Sequence, residues 1–307
     1  MELLNKLVVT SLPLVPLPIV RRLASRYIAG ETLDDAVRTV RALQAEGACA
    51  TLDVLGEDVV AKEQAIAQRD ESVRTLEAIA REKIDSHLSI KLTSLGLKVG
   101  PPGQGTTIDP AFCRENVHAI LEAADRLGIF VRVDMEDSTC TTPTIELFRD
   151  LHREFPRTGL VLQAYLKRTE ADVRSLPPAT NYRIVKGIYR ESPEIAFQGP
   201  EEIRASFLRL LRRMFERGSY VGIATHDDAL VRGSLEIVKE LGIPPDRYEF
   251  QMLLGVLPEL RRRLIGEGHK LRVYVPFGAH WYGYSTRRFK ENPTVAGYVF
   301  RALFHRG

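Results

Sequence analysis

From residue 32 onward the chain alternates short apolar runs with longer stretches in which apolar residues recur every three or four positions. The first pattern suits strands and the second amphipathic helices. Eight runs are predicted as strands: Ala48–Leu55, His87–Leu95, Phe130–Glu136, Gly159–Leu166, Tyr182–Tyr189, Tyr220–Asp227, Tyr248–Leu254 and Leu271–Phe277. Several, such as LVLQAYL and YVGIAT, are almost continuously apolar, as expected when both faces of a parallel sheet are covered. Helices are predicted over Leu33–Glu46, Val60–Lys83, Pro110–Leu127, Thr144–Glu154, Glu201–Arg217, Ala229–Leu241 and Leu257–Glu267. Thr32 suits an N-cap, and Asp109-Pro110 joins a capping acid to a proline at the first helical position. Gly47, Gly128, Gly218, Gly242 and Gly268 stand where helices should stop.

Eight strands alternating with helices predict an α/β fold of the closed (β/α)₈, TIM-like type. A doubly wound sheet is the competing architecture. No GxGxxG follows the first strand, however, and no GxxxxGK[ST] occurs in the chain. Gly100-Pro-Pro-Gly-Gln-Gly105 follows the second strand and carries two prolines, so it reads as a loop. With no low-complexity linker, the expected division is an N-terminal extension over 1–45, an apolar arm plus a helix, and a catalytic barrel over 46–307.

Charge adds little direction. Forty-three Lys and Arg against 40 Asp and Glu leave +3, which argues against a nucleic-acid partner. The run Arg261-Arg262-Arg263 falls on a predicted helix and reads as a solvated face. Three scattered cysteines provide neither a disulfide framework nor zinc spacing, so a reducing compartment is expected. The first 20 residues are apolar, but Pro13, Pro16 and Pro18 interrupt them. They read as an arm folded on the body, with a membrane-touching or exported segment as the alternative.

In such a barrel the active site lies at the C-terminal strand ends. There the sequence offers Lys91, then Asp134 with Glu136 and Asp137, then Gln163 and Tyr165. Arg183, Lys186 and Tyr189 follow, then Thr225, His226 and Asp227, then Glu249 and Gln251, then Tyr274. Any one could be a satisfied core residue. Polar groups on seven strands covered on both sides point instead to a site, because unpaired buried charge is costly. After the eighth strand, Tyr284, Arg287, Arg288 and Glu291 share one helical face by their spacing. Surface ion pairs would explain them. A helix over the barrel mouth would instead aim two guanidiniums at a carboxylate or phosphate.

From the residues alone this is a barrel enzyme for a small anionic substrate. A Schiff-base aldolase through Lys91 or Lys186 stays open. So does a metal-dependent hydrolase using Asp134, Glu136, His226 and Asp227, although neither HxH nor HExxH occurs. A non-catalytic binding module leaves the seven polar strands unexplained.

Ordered motifs narrow the choice: Ser89-Ile-Lys91-Leu-Thr-Ser, Val133-Asp134-Met135-Glu136-Asp, Leu162-Gln163-Ala-Tyr165 and Arg183-Ile-Val-Lys186-Gly187-Ile188-Tyr189. Ala224-Thr225-His226-Asp227, Glu249-Phe-Gln251-Met-Leu253, Val273-Tyr274-Val-Pro276-Phe-Gly278 and Tyr284-Ser-Thr-Arg287-Arg288 follow. The set resembles the FAD-dependent proline dehydrogenase family in its short, single-activity bacterial form, over residues 30–303. The resemblance implies a distorted barrel with FAD at its mouth and a final helix above it. It implies oxidation of L-proline to Δ1-pyrroline-5-carboxylate by hydride transfer from ring carbon C5 to flavin N5, with electrons passed to a membrane quinone. Product would go to a separate pyrroline-5-carboxylate dehydrogenase.

By the same resemblance, Arg287 and Arg288 bind the proline carboxylate with help from Lys91, while Tyr274 and Leu253 wall the ring. Asp134 holds Lys91 and, with Arg183 near flavin N5, serves as a catalytic residue. Met135, Gln163, Lys186, Gly187, Ile188, Tyr189, Thr225 and His226 line the cofactor, and Glu291 braces the arginines. No metal is implied. The expected location is cytoplasmic, with peripheral contact at the inner membrane face a hypothesis raised by the apolar arm. Two departures stand out. Ile188 occupies a position that is usually alanine, and the loop Phe197–Glu202 lacks an expected basic residue, with Arg204 alone nearby.

Overall fold

The computed structural model describes residues 20–21, 24–56, 59–100 and 107–285. Eight parallel strands close into a barrel: β1 (Cys49–Val54), β2 (Ser86–Ile90), β3 (Val131–Val133), β4 (Thr158–Gln163), β5 (Tyr182–Val185), β6 (Val221–Ala224), β7 (Tyr248–Leu253) and β8 (Leu271–Phe277). Each pairs with its sequence neighbours, and β1 pairs with β8 from Cys49–Arg272 to Val54–Phe277, which leaves no open edge. The predicted barrel is therefore the observed one.

Helix α1 (Leu33–Ala45) precedes β1, and α2 (Lys62–Glu82), α3 (Pro110–Leu127), α4 (Ser138–Glu154), α5 (Thr169–Ser175), α6 (Pro200–Glu216), α7 (Asp228–Glu240) and α8 (Pro258–Gly266) follow the strands in turn. Thr32 caps α1 in a reciprocal box with Asp35, and Asp109 accepts from the Phe112 backbone at 3.1 Å to start α3. Helix α1 buries Ala36, Val37, Val40 and Leu43 and packs on β1 and β8. Each large apolar side chain buried in this way contributes about 1.5–3 kcal/mol.

The differences from expectation have local causes. The predicted strand Tyr182–Tyr189 stops at Val185, and Gly187 then adopts φ 112°, which a strand does not allow. His87–Leu95 likewise ends at Ile90, and Thr93–Leu95 form a 3₁₀ turn that buries Leu95. Helix α4 begins six residues before Thr144 because Asp137 caps it at the Thr139 backbone, and Pro143 is carried inside. Helix α5 and a short antiparallel pair, Lys98–Val99 with Thr107–Ile108, were not predicted. Arg261 corrects the reading of the arginine run. It is buried and bonds Glu46 at 2.6 Å, joining α8 to the end of α1, while Arg262 and Arg263 are exposed. Residues 281–285 are helical, with Trp281 and Tyr284 buried. Arg287, Arg288, Glu291, the rest of the expected final helix, residues 1–19 of the apolar arm and the core of the Gly100–Gly105 loop lie outside the described residues.

Candidate active site

Side chains two residues apart on a strand share a face, so alternate residues enter the barrel together. At the C-terminal end these residues form one connected network. Asp134, just past β3, accepts from Arg183 Nη1 at 2.8 Å and Ser89 Oγ at 2.9 Å on one oxygen, and from the Tyr274 hydroxyl at 2.8 Å on the other. Lys91 Nζ donates to Asp53 at 2.7 Å and to the Tyr274 oxygen at 3.1 Å, and lies 3.8 Å from Asp134. Asp53 is thus the nearer counter-ion of Lys91, although Asp134 was expected to hold it. The Arg183 guanidinium also lies 5.3 Å from the centre of the Tyr274 ring, within cation–π range.

The electrostatics follow from dense packing of opposite charges. Burial pushes the Asp53 carboxyl up; Lys91 pulls it down, and the like charge of Asp134 adds to the rise. Burial, then Asp134 and Asp53, push the Tyr274 phenol well above its usual value, so it stays a proton donor.

Around this centre the remaining expected residues are set at the last positions of strands and in the loops that follow. Gln163 is buried and donates to the Glu136 carbonyl at 2.7 Å, and Glu136 accepts from the Thr93 backbone at 3.0 Å. Met135 is buried beside them in sequence. Leu253 donates its backbone N–H to His226 Nε2 at 2.9 Å, which makes that nitrogen the unprotonated one. Thr225 Oγ1 accepts from the Asp227 backbone at 3.1 Å. Lys186 and Arg204 both reach Asp227 Oδ2, at 3.2 and 2.9 Å. Burial would raise Asp227, but these two cations hold it below the ordinary carboxylate range. Asp137 and Asp227 also cap α4 and α7, so part of the polar signal at the strand exits is helix capping. Gly187 cannot be replaced without movement, since a Cβ there would lie 2.1 Å from the Tyr165 ring. Ile188 is 52% exposed and Tyr189 is half-buried.

One expected exit residue lies elsewhere. Glu249, the second residue of β7, sits toward the barrel floor, where Arg272 Nε reaches it at 2.8 Å and Lys270 at 3.6 Å. Burial opposes its charge, but Arg272 and His87 outweigh that and hold it far below its usual value. Arg132 lies near this level on β3 and donates to the Asn181 carbonyl at 2.9 Å and its side-chain oxygen at 2.6 Å. Gly159 makes room for it, because a Cβ would meet Arg132 Nη1 at 2.3 Å. Asp53, Ser89, Arg132 and Arg272 carried no assigned role in the sequence. A polar or charged residue at an alternate position of an apolar strand was the available signal.

The sequence profile of a family described as "Proline dehydrogenase" matches residues 36–301. "Proline dehydrogenase 1" of Bacillus subtilis subsp. natto is 37% identical over 283 residues, covering 91% of this chain and 90% of that protein. "Proline dehydrogenase" of Deinococcus radiodurans is 34% identical, covering 92% of this chain and 90% of that one. Among solved structures, proline utilization A (PutA) from Bdellovibrio bacteriovorus, inactivated by N-propargylglycine, superposes with a TM-score of 0.81 at 23% identity. That match covers 93% of this chain and 34% of the PutA chain, and it supports the barrel fold.

Proposed function

The chain belongs to the proline dehydrogenase family, and from that premise we propose that it oxidises L-proline to Δ1-pyrroline-5-carboxylate with FAD. The observation that carries the proposal is the buried Asp134–Arg183–Tyr274–Lys91–Asp53 network at the barrel mouth. In this reading residues 46–307 make the catalytic barrel.

The donor set fits a flavin. Gln163 brings an amide, Lys186 and Arg204 a pair of cations, and Ile188 a large, half-exposed apolar side chain on the same loop as the tight Gly187 turn. A planar ring system with carbonyl edges and a phosphate tail would use all of these. Met135, Gln163, Arg183, Lys186, Gly187, Ile188, Tyr189, Thr225 and His226 would hold it, and Glu291 would brace the arginine pair beside it. Bound FAD supplies the acceptor for the hydride equivalent leaving proline C5.

The protein's part is orientation, charge and proton placement. Arg287 and Arg288 would clamp the proline carboxylate with Lys91, while Tyr274 and Leu253 would face the apolar ring. Such a clamp fixes the reacting carbon, which can lower the barrier by several kcal/mol. Asp134 would keep Arg183, Tyr274 and Lys91 in one arrangement. The amine of proline must lose a proton before hydride departs, so reduction should quicken as pH rises through the bound amine's pKa. Electrons would then pass to a membrane quinone, and product to a separate pyrroline-5-carboxylate dehydrogenase. Among the described residues no helix is long and apolar enough to cross a membrane. In this proposal the protein works in the cytoplasm, and the arm Leu3–Val20 would touch the inner face of the membrane.

A visible spectrum of the purified protein before and after anaerobic L-proline tests the proposal. A flavin spectrum that bleaches is the expected result. Flavin that stays oxidised would remove proline as substrate, and colourless protein that stays inactive after added FAD would remove the cofactor. Liposome co-sedimentation with and without residues 1–20 tests the membrane assignment, which unchanged binding would overturn.

A further inference from the structure

Arg183 is held from below as well as from above. Its Nη1 serves Asp134 and Ser89 at the mouth, whereas its Nε donates down to the Gln251 side-chain oxygen. Gln251 Nε2 in turn donates to Glu249 at 2.7 Å, and Glu249 takes Arg272 Nε at 2.8 Å. Arg272 is tied to the strand framework through the Ala50 carbonyl at 2.6 Å. The path Arg272–Glu249–Gln251–Arg183–Asp134 thus runs from the floor of the barrel to its mouth. Glu249, Gln251, Arg183 and Arg272 are 0%, 4%, 5% and 2% exposed.

The amide in the middle has only one orientation available. An ionised carboxylate only accepts and a guanidinium only donates, so Gln251 must turn its nitrogen to Glu249 and its oxygen to Arg183. The adjacent strand β6 is cut away to admit it, since a Cβ on Gly222 would lie 2.4 Å from Gln251 Nε2. A buried guanidinium nitrogen left without an acceptor is costly, so losing this oxygen would shift Arg183 along the barrel axis.

We propose that Gln251, oriented by the Glu249–Arg272 pair, is a positioning residue that sets the height of the Arg183 guanidinium at the barrel mouth. This rests on the reading of Arg183 as the cation beside the flavin. A cation beside the flavin would favour the reduced cofactor, so moving it should alter the flavin's readiness to accept electrons more than the binding of proline.

The test compares wild-type holoenzyme with Gln251→Met and Glu249→Gln, measuring anaerobic reduction by L-proline and the flavin midpoint potential. Gln251→Met is expected to slow reduction about tenfold at saturating proline, with KM within twofold. Its proline–flavin equilibrium should shift about tenfold toward oxidised flavin, equivalent to about 30 mV for a two-electron couple. Glu249→Gln, which frees the amide to flip, should move both quantities in the same direction by about threefold, and it carries the test if Gln251→Met does not fold. Ile120→Ala, buried on α3 and remote from the path, provides a variant of reduced thermal stability whose potential should equal wild type. Folded, flavin-loaded Gln251→Met with unchanged potential and rate would overturn the positioning role alone. Wild-type flavin that proline does not reduce would overturn the functional reading and the positioning role with it.

Discussion

Two carboxylates in this barrel are equally hidden and behave oppositely. Glu249 on the floor is 0% exposed and Asp53 at the mouth 1% exposed. Glu249 is held well below its ordinary value, while Asp53 is raised. The desolvation penalty opposes both charges; the neighbours decide. Glu249 has Arg272, Lys270, His87 and the Gln251 amide around it. Asp53 has Lys91 on one oxygen and the like charge of Asp134 nearby. On the floor, Arg272 and Lys270 both face the carboxylate of Glu249. At the mouth two carboxylates, Asp53 and Asp134, share Lys91, and perturbed groups of this kind cluster at functional sites.

The strongest way to break this contrast is at the floor. Arg272→Met should cost about 3–5 kcal/mol in urea unfolding, because it leaves Glu249 buried and under-compensated. A loss below about 1 kcal/mol would mean the floor pair is not structural. At the mouth, Asp134→Asn should slow flavin reduction by proline about 100-fold, about 2.7 kcal/mol of barrier, and because the amide oxygen still accepts from Arg183 and Ser89 it should cost less stability than Arg272→Met. Stopped-flow absorbance and thermal melts measure the two.

Acid titration of stability sharpens the contrast further. His87 is pushed well below its usual 6.5 by burial and then by Arg272, so the unfolded chain binds a proton first. Stability is therefore present above about pH 6.5 and lost as pH falls, by up to about 1.4 kcal/mol per pH unit. Glu249, depressed from 4.5, adds the same sign of loss below about pH 4.5. Asp53, raised from 3.8, acts in reverse, because the folded form binds its proton first and acidification relieves its cost. Denaturant midpoints between pH 7 and 3 should show a shallower acid limb in Glu249→Gln and a steeper one in Asp53→Asn. The smallest effect belongs outside the barrel. Arg262→Ala, which breaks an exposed pair with Glu259, should alter urea stability by no more than about 0.5 kcal/mol, isolating what burial adds to charge pairing.

Much of the fold was legible in the sequence because eight apolar runs of strand length alternate with seven amphipathic helical stretches. Strand ends were less legible. Apolar residues continue past Ile90 and Val185 in sequence, and only the 3₁₀ turn at Thr93 and the positive φ of Gly187 stop the pairing. Lys91, Asp134, Arg183 and Tyr274 could be found because polar groups in apolar strands demand a reason, and the structure brings these four together. Alternation alone, however, does not say which end of the barrel a charge occupies. Glu249 was therefore assigned to the mouth, and Arg272, two residues from Tyr274 on the same face, was not singled out. Asp53 was passed over as one acid in an otherwise apolar strand. Its importance appears only when β1 pairs with β2, with Asp53 opposite Ser89, and sets it beside Lys91.

The most direct test of the division between floor and mouth pairs Arg272→Lys with Asp134→Asn in one experiment, recording thermal midpoint and the rate of flavin reduction by L-proline. The account predicts a crossed result. Arg272→Lys should lower the midpoint by several degrees with reduction within threefold of wild type, and Asp134→Asn should lower the midpoint less than Arg272→Lys while reduction falls about 100-fold. Parallel losses of stability and rate in both variants would contradict it.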